Sequence, residues 1–133
     1  MGSDPVRIKI SAPPQQGRFA MIVQEVSPGT RIPVHRHGRE DEIIFIHSGE
    51  GEAVLGDDTV KLSPGSILYV PQGTWHGGVN TGNVVLHWIA IYSPSGFEGY
   101  FREIGRRSLD APHVQRTAGE RLALDTQYAI SYR

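Results

Sequence analysis

The sequence of 133 residues contains no cysteine, and this absence excludes several kinds of chemistry at once. Disulfide frameworks, thiolate nucleophiles, iron–sulfur clusters and cysteine-bound zinc all require that residue. Lysine is also scarce, with only Lys9 and Lys61, and the formal net charge is −1. Such a charge balance argues against nucleic acid or an anionic membrane as the main partner. No run of about 18 apolar residues is present, so no membrane-spanning helix is expected.

Glycine and proline are abundant, with 16 and 9 residues, together 25 of 133. Their usual combined share is about 12% of a protein, so this chain is rich in turn-forming residues. So many turns disfavour a helical bundle, while the hydrophobic content of 38% is too high for a disordered chain. Turn signals recur about every 8–12 residues, which is typical of all-β sandwiches and barrels.

Short apolar or alternating stretches between these turns predict the strands. The predicted strands are residues 6–10, 19–26, 32–37, 42–47, 52–55, 59–62, 66–70, 76–79 and 84–92. We expect a single domain over residues 1–133, in which an N-terminal strand at 5–10 precedes a barrel core at about 19–93.

The pattern changes to helical spacing after the last of these strands. Aromatic and apolar side chains follow at i, i+3, i+4 and i+7, which predicts one helix face: Phe97, Tyr100, Phe101 and Ile104. Ser95 and Glu98 have capping-box spacing at its start, and Thr117 and Glu120 repeat that spacing at a second helix. We expect a C-terminal helical segment at about 95–128, with both helices packed on the outside of the barrel.

Three histidines and one glutamate stand where neighbouring strands could bring them together. His35 and His37 are two residues apart on one predicted strand, so both side chains point to the same face. Glu42 opens the next strand, and His76 begins a later one just after a proline–glycine turn. Three nitrogens and one oxygen suit Mn, Fe, Co, Ni, Cu or Zn, whereas a calcium cage or a structural zinc knuckle uses other donors.

The spacing of these residues resembles the two-part cupin signature. The first half reads G-x5-H-x-H-x4-E-x6-G from Gly29 to Gly49, and the second reads G-x5-P-x-G-x2-H-x3-N from Gly65 to Asn80. The 15 residues between the halves are a short spacing, similar to that of compact microbial cupins. The resemblance implies an all-β fold, the cupin double-stranded β-helix or jelly-roll barrel, here with two short C-terminal helices.

The same resemblance implies a metal site inside the barrel. His35, His37, Glu42 and His76 would bind one divalent transition metal and leave positions open for water, substrate or dioxygen. Mn, Fe or Ni is the metal that we favour, with Zn, Co or Cu as alternatives. Glu42 could also shift from metal ligand to general base during turnover.

Cupins with this ligand set resemble enzymes of several kinds, and we favour a metal-dependent oxidoreductase, a quercetinase-like dioxygenase of small molecules. The alternatives are a metal-dependent decarboxylase, an isomerase, a lyase, or a non-catalytic module that binds metal and a small ligand. The charged loop beside the histidine pair has two interpretations. Arg36 and Arg39 either belong to a solvated loop or anchor an anionic substrate.

The remaining histidines have weaker signals. Side chains alternate along a strand, so His47 should point away from the face of Glu42. The face of His87 cannot be assigned from the sequence, and an inward His87 would be a candidate proton carrier. His113 lies between the two predicted helices and is expected to be solvated.

The expected partner is a small-molecule substrate or ligand in the barrel, with no nucleic acid and no membrane. Small cupins are commonly dimers, and the alternating residues 6–10 suit edge pairing with a second chain, so a homodimer is expected. A cytoplasmic location is the default because no signal peptide is recognisable, and an exported mature chain stays open.

Overall fold

The computed structural model describes residues 4–105 and 115–133, and β-strand is their main secondary structure, at 47%. Two antiparallel five-stranded sheets and two short helices make up the described part of the chain. The prediction of an all-β barrel with two C-terminal helices is therefore confirmed. The elements in chain order are β1 (Val6–Ile10), β2 (Ala20–Val26), β3 (Arg31–His37), β4 (Asp41–Ser48), β5 (Gly51–Leu55), β6 (Asp58–Leu62), β7 (Ile67–Val70), β8 (His76–Asn80), β9 (Leu86–Ser93), α1 (Glu98–Ile104), α2 (Ala118–Gln127) and β10 (Ile130–Tyr132).

The two sheets enclose one hydrophobic core. The first sheet has the strand order β1-β2-β9-β4-β7 and the second has the order β10-β3-β8-β5-β6. Burial alternates along β2, β4 and β9, because side chains of a strand point to opposite faces of the sheet. The inward side chains include Ile22, Ile44, Ile46, Leu86 and Trp88. Burial of these apolar side chains is the main force that closes the barrel.

Two glycines allow the backbones to approach each other closely. Gly49 has a φ of 90°, and a Cβ there would lie 2.6 Å from the Val85 carbonyl oxygen. At Gly77 a Cβ would lie 2.7 Å from the Ile32 carbonyl oxygen. Because Gly77 directly follows His76, the close contact of β8 with β3 fixes the position of that histidine.

The predicted strands all occur within two residues of their predicted bounds, but the last strand is not predicted by any pattern in the sequence. Strand β10 pairs with β3, and this pairing sets Ile130 opposite His37 and Tyr132 opposite His35. Strand β10 therefore lies beside the histidine pair. No helix in the described ranges is long and apolar enough to cross a bilayer.

The predicted cap of the first helix is wrong, whereas that of the second is confirmed. Helix α1 has Phe97 at its N-cap without a side-chain hydrogen bond. The Ser95 hydroxyl instead accepts from the Gly17 amide and donates to the Pro13 carbonyl, so it holds a distant loop. At α2 the Thr117 side chain accepts from the amide of residue 120, as its spacing predicts.

The contribution of Glu98 to stability is a first prediction. Its buried carboxylate accepts hydrogen bonds from Ser11 Oγ at 2.9 Å, from the Ala12 amide at 3.0 Å and from the Gly96 amide at 2.6 Å. Glu98→Ala leaves these donors without an acceptor, and an orphaned donor costs about 1–3 kcal/mol. We expect the free energy of unfolding, measured by urea denaturation, to fall by about 2–4 kcal/mol.

The matched control is Glu103→Ala, which removes a half-exposed carboxylate from the same helix. Its ion pair with Arg116 is at the surface, where such pairs contribute at most about 1 kcal/mol. Equal losses in the two variants would contradict the role assigned to Glu98.

The first helix also departs from its predicted location. Its aromatic face packs over the open end of the barrel, where the ring centroid of Phe97 lies 4.2 Å from that of His37. Phe97 and Tyr100 are buried there. Helix α1 is therefore a cover for the interior of the barrel, not an appendage to its outer wall.

Candidate metal centre

Three histidines and one glutamate converge inside the barrel. His35, His37, Glu42 and His76 each offer one ligand atom, and these atoms all lie within 4.8 Å of one another. The four residues are buried, with the largest exposure, 8%, at His35. The residues that the sequence spacing singles out are thus brought together into a group that could hold a metal ion.

Both sheets contribute to this group. His35 and His37 lie on β3, where an irregularity in the pairing with β8 falls between Ile32 and His35. His35 is directly opposite His76 on β8 in the same sheet. Glu42 comes from β4 in the other sheet, so the group spans the interior of the barrel from one sheet to the other.

Two backbone carbonyls orient two of the imidazole rings. His35 Nδ1 lies 2.6 Å from the Pro33 carbonyl oxygen, and His76 Nδ1 lies 2.9 Å from that of Thr74. When Nδ1 donates to a carbonyl, Nε2 keeps its lone pair and the ring is held in place, which is the usual arrangement behind a metal-binding histidine. His76 Nε2 is 3.0 Å from Glu42 Oε1.

His37 gives a further test of whether a metal fits. Its Nε2 lies 3.2 Å from Glu42 Oε1, but neither ring nitrogen makes a hydrogen bond of good geometry. Buried nitrogens without a partner are rare in folded proteins. A metal bound between the rings would satisfy one of them, and three imidazoles with one carboxylate are a donor set that divalent transition metals accept. The residues present therefore fit a metal ion.

The charges of the group also favour metal binding. Burial raises the pKa of Glu42, but the nearby nitrogens and charges of His37 and His76 outweigh burial and hold this pKa at about 2. Burial, together with the charges of His76 and His37, lowers the pKa of His35 to about 3. At neutral pH the group therefore offers an ionised carboxylate and, at His35, a neutral imidazole.

Metal affinity should depend on pH through His76. Burial lowers the pKa of His76, but the hydrogen bond and charge of Glu42 outweigh burial and raise it above its ordinary value. A metal must displace this proton, so affinity should fall as the pH drops through the raised pKa, by about tenfold per unit. Calorimetric titration with Ni(II) at several pH values measures it. An affinity that stays constant from about pH 5 to pH 8 would contradict this coupling.

A cavity opens beside the group. Its wall includes His35, Glu42 and His76 but not His37, which lies under the rings of Phe97 and Tyr92. Aromatic side chains dominate the rest of the wall: Trp88, Tyr92, Phe97, Tyr100, Phe101 and Tyr132. No lysine or arginine of the described ranges is among the residues that line it.

Part of this wall was missed by reasoning from the sequence. Tyr132 lies on β10, which no pattern in the sequence predicts, and the helical spacing predicts Phe97 and Tyr100 on the outside of the barrel. The helical spacing of the aromatic residues was recognisable, but spacing alone does not tell which surface a helix covers.

The other histidines lie away from the group where the structure describes them. His47 is exposed on the outer face of β4, as the alternation predicts. His87 also points outward, because its neighbours Leu86 and Trp88 take the buried positions, and its Nδ1 lies 2.7 Å from Ser48 Oγ. An inward proton carrier at position 87 is thus excluded. His113 lies outside the described residues.

The two loop arginines are engaged outside the cavity. The Arg36 guanidinium lies 4.5 Å from the centroid of the Trp75 ring, and Arg39 donates to the Gln127 carbonyl at 2.8 Å. Neither residue lines the cavity. The interpretation of this loop as a surface loop fits these contacts, and the anchoring of an anionic substrate does not.

The curated proteins that are similar to this chain match it over only part of their own length. A gentisate 1,2-dioxygenase from Haloferax sp is 31% identical over 70 residues, which cover 52% of this chain and 20% of the relative. An oxalate-binding protein from Thermotoga maritima is 31% identical over 67 residues, which cover 50% of this chain and 55% of the relative. This chain thus spans about half or less of these curated relatives.

A solved structure and a family match both agree with the fold described above. A protein from Klebsiella pneumoniae with a double-stranded β-helix domain superposes with a TM-score of 0.63 at 22% identity, over 71% of this chain and 79% of that one. Residues 22–92, more than half of the chain, match the family described as the cupin domain. That region contains His35, His37, Glu42 and His76, and it ends before α1. On this match, the chain belongs to the cupin family.

Proposed function

We propose that His35, His37, Glu42 and His76 bind one divalent transition metal and that the chain is a dioxygenase of a small aromatic or enolic molecule. The observation that carries this proposal is the cavity with a largely aromatic wall that opens on the donor group. A purely structural metal site is closed by its four protein ligands, whereas a catalytic site keeps access for a substrate. We favour Mn, Fe or Ni, and the donors also suit Zn, Co or Cu.

A bound redox-active metal would supply Lewis acidity and electron exchange with dioxygen. The protein's own contribution is to hold the donors and to exclude water. The Glu42 carboxylate lowers the positive charge of the site by one, and the rings of Phe97 and Tyr92 shield His37. Because the pKa of Glu42 is held at about 2, this carboxylate is a weak base, and we assign it to metal binding in preference to proton abstraction.

The wall of the cavity favours a neutral or weakly charged substrate. It holds aromatic rings and the polar side chains of Gln24 and three tyrosines beyond the metal group, but none of its described residues is a lysine or arginine. A dianion such as oxalate would lack a cationic partner other than the metal, whereas a planar enol or phenol finds stacking surfaces. The similarity to a gentisate 1,2-dioxygenase supports the same class of reaction.

Oxygen uptake tests this proposal. The protein, loaded separately with Fe(II), Mn(II) or Ni(II), is screened against enols, flavonols and diketones in an oxygen electrode. We expect uptake and an oxygenated product with at least one metal, and loss of both in Glu42→Ala. Stoichiometric metal without uptake or product in any combination would overturn the dioxygenase assignment for these substrates. A decarboxylase, isomerase or lyase would give product without oxygen uptake.

A non-catalytic binding module is the second candidate, and the similarity to an oxalate-binding protein favours it. In that case the metal-loaded protein would bind a small ligand tightly and leave it unchanged. Retention of tightly held Zn(II) after purification from the native source would also favour this candidate, because zinc has no redox chemistry.

We also propose that the chain forms a homodimer through β1. This strand is at the edge of the first sheet and pairs only with β2 in the described part of the chain, so its other edge can accept a strand of a second copy. Solution scattering at micromolar concentration should give twice the mass of one chain. A monomer mass would rule the dimer out.

A further inference from the structure

Three polar side chains of the C-terminal segment form a chain of hydrogen bonds at the cavity. The Tyr100 hydroxyl donates to Asp125 Oδ1 at 2.8 Å and lies 2.9 Å from the Tyr132 hydroxyl. Both tyrosines line the cavity. The three residues belong to α1, α2 and β10, all beyond the region 22–92 that matches the family. This chain of side chains is therefore an addition to the barrel and its four candidate ligands.

The number of protons fixes the direction of these hydrogen bonds. Each phenol carries one proton, and a carboxylate only accepts. Because Tyr100 gives its proton to Asp125, the bond between the two tyrosines must use the proton of Tyr132. The Tyr132 oxygen is then left with free lone pairs and no proton to donate, on a residue that lines the cavity.

The position of Tyr132 relates this acceptor to the metal group. Strand β10 sets Tyr132 directly opposite His35, and the centroids of the two rings are 6.0 Å apart. A ligand that contacts the Tyr132 oxygen is therefore close enough to reach the donor group with another part of the same molecule. A monocyclic aromatic molecule is the probe that suits this wall, because aromatic rings line it.

We propose that the Tyr132 oxygen is an accepting subsite of the cavity and that it selects ligands that bring a hydroxyl or amine donor. The inference rests on the proposed function only in assuming that the cavity binds a small molecule. Tyr100 and Asp125 are positioning residues, because they act through the orientation of the Tyr132 proton. A site built to accept a hydrogen bond discriminates against a ligand that lacks the donor.

The test uses the full chain loaded with redox-inert Zn(II), so that no turnover occurs. The probes are resorcinol and 3-methoxyphenol, and each has one hydroxyl that can bind the metal. The second group is a hydroxyl, a donor, in resorcinol and a methoxy group, an acceptor, in 3-methoxyphenol. Dissociation constants are measured by calorimetry. Because Tyr132 is 45% exposed, water competes for its oxygen, and we expect resorcinol to bind about fivefold more tightly than 3-methoxyphenol.

Three variants test the direction of the hydrogen bonds. Tyr132→Phe removes the acceptor, so the preference for resorcinol should disappear. Tyr100→Phe frees the Tyr132 proton to point into the cavity, so the preference should reverse towards the methoxy probe. Tyr128→Phe, a change in the same C-terminal segment outside the cavity wall, should keep the preference of the unaltered protein. Equal zinc content in all variants shows that the metal group is intact.

The outcomes separate this inference from the proposed function. An unchanged preference in Tyr132→Phe would overturn the subsite, as would failure of both probes to bind. An unchanged preference in Tyr100→Phe would overturn the assigned direction of the bonds. If the preferences follow expectation while no metal form consumes oxygen, the dioxygenase proposal fails and the accepting subsite stands.

Discussion

Purified Glu42→Ala and His76→Ala proteins are expected to contain almost no metal. Each substitution removes one of the four donor atoms that lie within 4.8 Å of one another, and Glu42 also supplies the only negative charge of the group. Even a hydrogen-bond partner of a metal ligand contributes 10- to 100-fold to affinity, so loss of a ligand itself should cost more than about 100-fold. Mass spectrometry of metals in the purified proteins measures the occupancy.

His47→Ala is the matched control for these variants. It removes an imidazole from the same strand as Glu42, but from its exposed outer face, so metal content should match that of the unaltered protein. Circular dichroism should show the same fold in all three variants, because the apolar core between the sheets does not depend on the metal. Unchanged metal content in both Glu42→Ala and His76→Ala would mean that the ligands are wrongly assigned.

Phe97→Ala should cause the largest loss of stability among single substitutions near the site. Phe97 is 2% exposed, and its ring centroid lies 4.2 Å from that of His37 and 5.2 Å from those of Tyr92 and Tyr100. Truncation of a buried phenylalanine costs about 3–5 kcal/mol, because it removes apolar contacts and leaves a cavity. Urea denaturation of the metal-free protein measures the loss without a contribution from bound metal.

The control for this substitution is Phe19→Ala. Phe19 is 55% exposed, and surface changes usually stay within about 0.5 kcal/mol. A loss below about 1 kcal/mol in Phe97→Ala would contradict the role of α1 as a packed cover over the barrel. The same variant should loosen the packing of α1 over the barrel and admit water to His37. In the metal-free protein the backbone amides of α1 are therefore also expected to exchange hydrogen faster.

The strands and the candidate site could be predicted because their signals are local. Alternation of apolar residues identifies a strand without knowledge of its partners, and a histidine pair two residues apart must share a face. The fixed distances between the ligands and the turn glycines indicate the family. The same spacing identifies His35, His37, Glu42 and His76 without any knowledge of their contacts.

The features that could not be predicted depend on tertiary contacts. Ser95 and Glu98 have the spacing of a helix cap, but donors from residues 11–17 and from Gly96 occupy them instead. Strand β10 is three residues long, too short for a periodic pattern, and it exists because β3 offers it an edge. The face of His87 could not be predicted, because a turn after Asn80 separates it from His76 and side-chain alternation does not continue through a turn.

X-ray absorption spectroscopy of the zinc-loaded protein tests whether three imidazoles and one carboxylate bind one metal. We expect a single zinc per chain with nitrogen and oxygen neighbours at about 2.0–2.2 Å and no sulfur. We also expect outer-shell scattering from about three imidazole rings, as His35, His37 and His76 require. Zinc surrounded by water or carboxylate oxygens, with at most one imidazole ring, would contradict this metal site.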